Sequence, residues 1–436
     1  MKTFRPRFAI AMVAASALVP LAACSSSSGS GSGGGSGKTE ITLLTDSADT
    51  TVKPAAAEIA AFEKANPTIT VKTETRPGGS DGDNIVKTKL STGDMADVFW
   101  YNSGSLLAAL SPAKTLVDLT NDPALANTDP SFLPAVTQNG KVYGAPWGTA
   151  MGGGILYNKD VYAKLNLQVP KTWAEFESNS DKIKASGITA VLGSFKDTWT
   201  SQLFVLGDYH NVAAANPSFA TDYTANKVKY ATDQAAEKGF EKTAEAKQKG
   251  WLNASAGSTT FAQGIKLLAS GRAAQYPLLT FPVGTLPPAQ AAKIGFFGIP
   301  GDDASTNGAT LWEPGGQYIP KTTTGAKLDA AKKFIAFVAS PAGSDAYTSA
   351  APPTGPYLVK GYSLPASAPP VAKDLEAYIT AKATTPALEF LSPVKGPSLE
   401  QITVAVATGQ TSAKDGAAQY DADVTKQAKQ LGLPGW

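Results

Sequence analysis

Residues 78–82 read Gly-Gly-Ser-Asp-Gly, a match to Gly-x-Ser-x-Gly between a predicted strand and a predicted helix. That is the setting of a nucleophile elbow, where a serine attacks an acyl carbon and a histidine takes its proton. The strand before it ends Lys72-Thr-Glu-Thr-Arg-Pro77, polar where an elbow strand is buried and apolar, and the chain holds a single histidine. That residue, His210, lies in Gly207-Asp208-Tyr209-His210-Asn211, which reads as an exposed polar loop. A serine hydrolase is therefore not expected. One histidine and one cysteine also exclude metal sites built from several imidazoles or thiolates, and neither a metal nor another cofactor is expected. Glycoside hydrolysis needs only two carboxylates whose separation a sequence cannot measure, so residue types alone leave it open.

The lone cysteine belongs to the front of the chain. Lys2, Arg5 and Arg7 precede an uncharged apolar run from Phe8 to Leu21, then Ala22, Ala23 and Cys24. Charge, a short apolar run and small residues make a secretory signal peptide over 1–23, too short to remain as a membrane span. Leu21-Ala-Ala-Cys24 resembles the bacterial lipobox, which implies lipidation of Cys24 and attachment to the outer face of the cell membrane. Two acyl chains suffice for stable anchoring. Ser25 to Gly37 contains only serine and glycine, and 24–38 is expected to be a lipidated, flexible tether.

About 400 residues remain, enough for two domains with cores of their own. Their charge is nearly balanced, +2 for the whole chain with 17% charged residues, and no basic cluster interleaves with aromatics, so nucleic acid is not an expected partner. Periodicity alternates between strand and helix. Glu40–Thr45 reads as a buried strand, Ala55–Ala65 as a helix stopped by Asn66-Pro67, Thr68–Glu74 as a strand, Ile85–Leu90 as a helix and Ala96–Trp100 as a strand. The alternation restarts with strand Gly152–Tyr157, capped helix Thr172–Lys184 and strand Ile188–Leu192, and Ala326–Val338 is helical. Such alternation predicts an α/β fold with mostly parallel sheets flanked by helices.

Tyr143 to Asp160, containing Tyr157-Asn-Lys-Asp160, followed by Pro170-Lys-Thr-Trp-Ala-Glu-Phe176, resembles the extracytoplasmic solute-binding proteins of sugar ABC importers, the maltose-binding-protein-like family. Gly93–Phe99, Phe261–Gly271, Gly315-Gly316 and Gly409–Asp415 support the resemblance in order and spacing. It departs from the family's pattern at Trp147, where tyrosine is common, and at Leu267–Gly271, which lacks a frequent methionine. The resemblance implies a two-lobed periplasmic-binding-protein-like fold, with 39–146 and 314–355 in one lobe, 147–313 and 356–436 in the other, and the ligand cleft between them. It also implies a monomeric, non-enzymatic protein that closes on a carbohydrate and hands it to ABC permease subunits.

A sugar offers apolar C–H faces and hydroxyls that both donate and accept, so its cleft needs aromatic platforms beside planar polar groups. Seven tryptophans supply the first. Tyr101, Trp147, Trp199, Tyr276 and Trp312 are the candidate platforms; Trp100 faces either way by strand alternation, and Trp173 reads as packing. Asp46, Asn102, Asp197 and Glu313 are the candidate polar partners, each able to orient a hydroxyl or simply to cap a helix, and Gly316 marks the return crossing. A peptide, a polyamine or another small solute is the alternative ligand, and a sensory lipoprotein on the same fold the alternative role.

Overall fold

The computed structural model describes residues 37–436, of which Lys38–Trp436 form one compact unit. The expected signal peptide, Cys24 and tether residues 25–36 lie outside the described residues. The main strands, in chain order, are β1 (Thr39–Asp46), β2 (Ile69–Arg76), β3 (Val98–Tyr101), β4 (Gly144–Trp147), β5 (Met151–Asn158), β6 (Thr189–Val191), β7 (Ala273–Leu279), β8 (Ile294–Gly298), β9 (Ala309–Trp312), β10 (Gly315–Tyr318) and β11 (Thr384–Pro386). They build two sheets. The first has the order β2-β1-β3-β10-β4; the second runs β11-β9-β5-β7-β6, with β8 also paired to β5.

Strand alternation divides each sheet into two apolar faces. In the first, Ile41, Leu43, Val98 and Ala145 pack against Phe62 of helix Asp49–Ala65 and Phe334 of helix Gly325–Val338. Leu44, Phe99 and Tyr318 face the other way, toward Val86 of helix Gly79–Thr92 and Phe132. In the second sheet Leu156, Tyr276 and Leu278 meet Ile265 and Leu268 of helix Phe261–Ala269, while Ile155, Ala274 and Phe297 meet Trp173, Phe176 and Trp251. Trp173 is a packing residue, as its helical setting predicts. Its helix, Trp173–Ala185, opens with a capping box between Thr172 and Glu175, which satisfies two otherwise orphaned backbone donors.

The expected parallel pairing holds for β1 with β2 and β3 in the first sheet, and for β6 with β7 and β9 with β11 in the second. β10 runs antiparallel to β3 and β4, and β5 antiparallel to β7, β8 and β9. The physical reason is the chain path. β4 leads from the first sheet directly into β5 of the second, and β9 returns directly into β10, so the crossing strands enter each sheet from the side where helix-connected strands end. Both crossings are short, Gly148–Ala150 and Glu313–Pro314. Gly148 has φ 90°, a left-handed conformation that a side chain would strain.

Candidate functional site

Strand direction brings Asp46, Arg76, Tyr101, Trp147 and Gly315 to one edge of the first sheet, the carboxyl end of its parallel strands. The second sheet turns the edge formed by Met151, Trp312 and Leu279 toward the same crossings. This is where open α/β sheets meet ligands. The two sides touch here. A Cβ built on Gly79, at the start of helix Gly79–Thr92, would lie 3.9 Å from Glu400 Oε2, and one on Gly104 would lie 2.6 Å from the Glu389 carbonyl oxygen and 2.9 Å from the Phe390 ring.

At the centre is Arg76, 4% exposed at the end of β2. Its guanidinium carbon lies 5.5 Å from the Trp100 ring and 5.6 Å from that of Tyr101, within cation–π range of both. Nη1 donates to the Pro77 carbonyl at 3.0 Å, while Nε and Nη2 are buried without a partner. Burial raises the pKa of Asp83, and the nearby Arg76 charge opposes that rise, with Lys395 adding a smaller effect. The Tyr101 hydroxyl is buried beside Asp83 without a well-aligned hydrogen bond, and burial pushes its pKa well up. Glu313 Oε2 is buried and unpaired, and burial, helped by the charge of Asp129, raises its pKa to about 7. Gln317, paired across the ladder with Trp100, leaves both its amide oxygen and nitrogen without partners.

Several candidates read from the sequence have other duties. Trp147 is 5% exposed in the first core, donates its indole N–H to Glu58, and packs edge-to-face with Trp100 and Tyr347, so it is a packing residue and not an open platform. Trp312, 6% exposed, lies against the backbone of Gly153 and donates to Glu389. A cavity beside it measures about 10 Å³, room for no more than one water. Tyr276 is buried under helix Phe261–Ala269 with its hydroxyl on Ser194. Gly316 is there for space, since a Cβ would come 2.5 Å from the Tyr318 ring.

Among the acids, Asp46 accepts from Ala48 N at 2.8 Å and Thr51 Oγ1 at 3.0 Å, holding the start of helix Asp49–Ala65. Asp197 accepts from Phe261 N at 2.6 Å, at the start of helix Phe261–Ala269. Both carboxylates accept from donors at helix starts, a duty that sequence could not distinguish from ligand binding. Asn102 follows Tyr101 at the edge and is half-buried, its backbone carbonyl accepting from Tyr318. Trp199 is the half-exposed candidate: its ring stacks on Phe281 at 6.1 Å and 26° and tilts against Phe261 at 5.3 Å.

His210 differs from the exposed loop expected. It lies in the first turn of helix Tyr209–Ala215, with Nδ1 2.9 Å from Thr385 Oγ1 and Nε2 3.1 Å from the Thr306 carbonyl, and burial lowers its pKa. Both nitrogens already have partners, Thr385 and Thr306, so the imidazole is not available as a base for Ser80. Sequence reasoning missed Arg76 and Asp83 as site residues, together with Glu389, Lys395 and Glu400. One signal was present: Arg76 and Arg272 are the only arginines after the leader, and a scarce arginine at a strand end is a candidate for a specific task.

The sequence profile described as bacterial extracellular solute-binding protein matches residues 44–345. The multiple sugar-binding protein of Streptococcus mutans is 32% identical over 153 residues, 35% of this chain and 34% of that protein. The chain thus matches about a third of the length of its curated relatives. Among solved structures, a chitin oligosaccharide binding protein superposes with a TM-score of 0.76 at 20% identity, and RafE in complex with raffinose with 0.73 at 23%; each comparison covers 90% of this chain and 100% of the other. At those identities the superpositions establish the two-lobed fold. With the profile spanning well over half of its residues, the chain belongs to the bacterial extracellular solute-binding protein family.

Proposed function

We propose that this protein captures a carbohydrate between its lobes and delivers it to the permease subunits of an ABC importer. The observation that carries this reading is a set of unpaired, buried polar atoms: Arg76 Nε and Nη2 and the Tyr101 hydroxyl at the first sheet's edge, the Gln317 amide opposite Trp100, and Glu313 Oε2 at the second crossing. Buried donors and acceptors without partners are costly, and several at one sheet edge suit a ligand rich in hydroxyls. Trp100 and the half-exposed Trp199 supply apolar faces for its ring. The names of the sugar-binding relatives point the same way.

The lobes are assigned as 39–146 with 314–355, and 147–313 with 356–436. Closure about the segments that cross between the lobes, two of them the short strand-to-strand crossings, encloses the ligand, a motion expected of hinged binding proteins. The chain acts as a monomer that transforms nothing, held at the outer face of the membrane by lipid on Cys24. A cationic solute is the second reading, favoured by Asp83, Glu313, Glu389 and Glu400 outnumbering Arg76, Lys395 and Lys87 around the crossings.

The test follows the melting temperature of the Lys38–Trp436 unit against mono- and oligosaccharides, with polyamines and dipeptides as controls. A ligand at a hundred times its Kd adds about 2.7 kcal/mol of stability, a readily visible shift. A shift with one sugar class and no product on long incubation is the expected result. A shift with the amines alone overturns the carbohydrate assignment, and consumption of a sugar overturns the non-enzymatic one.

A further inference from the structure

Arg76 is a buried cation whose hydrogen-bonding capacity is only partly used. One guanidinium nitrogen serves the neighbouring Pro77 carbonyl at 3.0 Å; the other two, Nε and Nη2, form the fork that elsewhere grips pairs of oxygens. Both are buried and have no partner. The plane of the fork is held by Trp100 and Tyr101, each within 5.6 Å. The residue is therefore fixed in place, with two parallel donors to spare at the sheet edge where the lobes meet.

A fork of this kind fits either a carboxylate or two neighbouring hydroxyl oxygens, and the surrounding charges separate the two. Burial raises the pKa values of Asp83 and Asp46, both lie close enough to Arg76 for its charge to oppose that rise in part, and neither carboxylate reaches the free donors. Lys395 and Lys87 are the other cations near Asp83, and Lys395 has Glu389 at 4.0 Å. Glu400 is 5% exposed on the facing lobe beside Gly79. The charge of Arg76 is thus offset from nearby while its donors stay open, and a further carboxylate would enter a region already rich in negative charge.

Resting on the reading of the cleft as a carbohydrate site, we propose that the Nε–Nη2 edge of Arg76 binds two adjacent hydroxyl oxygens of an uncharged sugar ring. Arg76 then determines specificity for a neutral saccharide with a vicinal diol, and sugars carrying a carboxylate are rejected.

Calorimetric titration of the Lys38–Trp436 unit tests this with matched neutral and uronate saccharides and with analogues of the bound sugar lacking single hydroxyls. Arg76→Lys keeps the charge and removes the fork. The wild type should bind the neutral sugar at least tenfold more tightly than its uronate. Arg76→Lys should lose roughly 10- to 100-fold in affinity, as the loss of one of the two charge-assisted hydrogen bonds implies. Deleting either of two adjacent hydroxyls should cost the wild type a comparable factor and cost Arg76→Lys little. Equal affinity of Arg76→Lys and wild type, or tighter binding of the uronate, overturns the assignment of Arg76 while leaving carbohydrate capture standing. A wild type that binds no saccharide of either charge overturns both. Should Arg76→Lys fail to fold, the hydroxyl deletions read against the wild type alone decide: no adjacent pair with matching losses overturns the proposal.

Discussion

The indole N–H of Trp147 donates to the carboxyl group of Glu58, a residue 89 positions earlier in the chain and 2% exposed. The bond ties β4, the strand that leads into the first crossing, to helix Asp49–Ala65. Burial drives the Glu58 pKa well above the usual carboxyl range, and the Trp147 bond opposes that rise only in part. The tryptophan nearest the first crossing is thereby committed to the core of the first sheet.

Trp147→Phe keeps the aromatic packing and deletes the donor. It should lower stability by about 1–3 kcal/mol, the usual cost of leaving a buried polar group without its partner. Urea denaturation followed by far-UV circular dichroism measures it. No loss of stability would mean that the bond has no net worth in the folded state.

Lys242 and Asp208 form an ion pair with side chains only 4% and 1% exposed, and Lys242 also donates to the Pro300 carbonyl at 3.0 Å. Lys242→Met leaves Asp208 as a buried charge without its cation and should cost about 3–5 kcal/mol. The double variant Asp208→Asn with Lys242→Met removes both charges and should recover much of that loss. Denaturation midpoints of the two single variants, the double variant and the wild type complete the cycle.

Glu313 carries the pH dependence closest to the second crossing. Its pKa is raised from 4.5 to about 7, so the folded state holds the proton more tightly than the unfolded chain does. The resulting stabilisation is fully present below about pH 4.5 and is lost as pH rises toward 7. Glu313→Gln removes this dependence. Wild-type stability minus variant stability should fall by about 1–2 kcal/mol between those limits, allowing for the partial exposure of the side chain, and stay level outside them. Denaturation of both proteins at half-unit pH intervals gives the difference curve, and a flat curve would rule out the raised pKa.

Gly153 lets the Trp312 ring lie directly on the β5 backbone. Gly153→Ala forces that ring away and strains its bond to Glu389. The expected cost is about 1–3 kcal/mol, as for other overpacked sites. The change should also appear in the near-UV circular dichroism of the tryptophans, and an unchanged spectrum would mean that the ring had not moved.

Much of this protein was legible from local pattern. Strand alternation and the 3.6-residue helical period depend on neighbours in sequence, and so Glu40–Thr45, Gly152–Tyr157 and the capped helix after Thr172 could be read directly. The order of motifs from Tyr143 to Phe176 was enough for the family. What a side chain does at the site was decided by tertiary structure. Asp46 and Asp197 look alike as acids at element ends, and only the fold turns each toward a helix start. Trp147 and Trp312 sit among small residues as an exposed platform would, yet partners 89 and 77 positions away hold them as packing. Arg76 attracts notice in the sequence only by its rarity. The pairing of β1 with β2 and β3 brings it between Trp100 and Tyr101, because sheet register links residues whose distance along the chain carries no information about their contact.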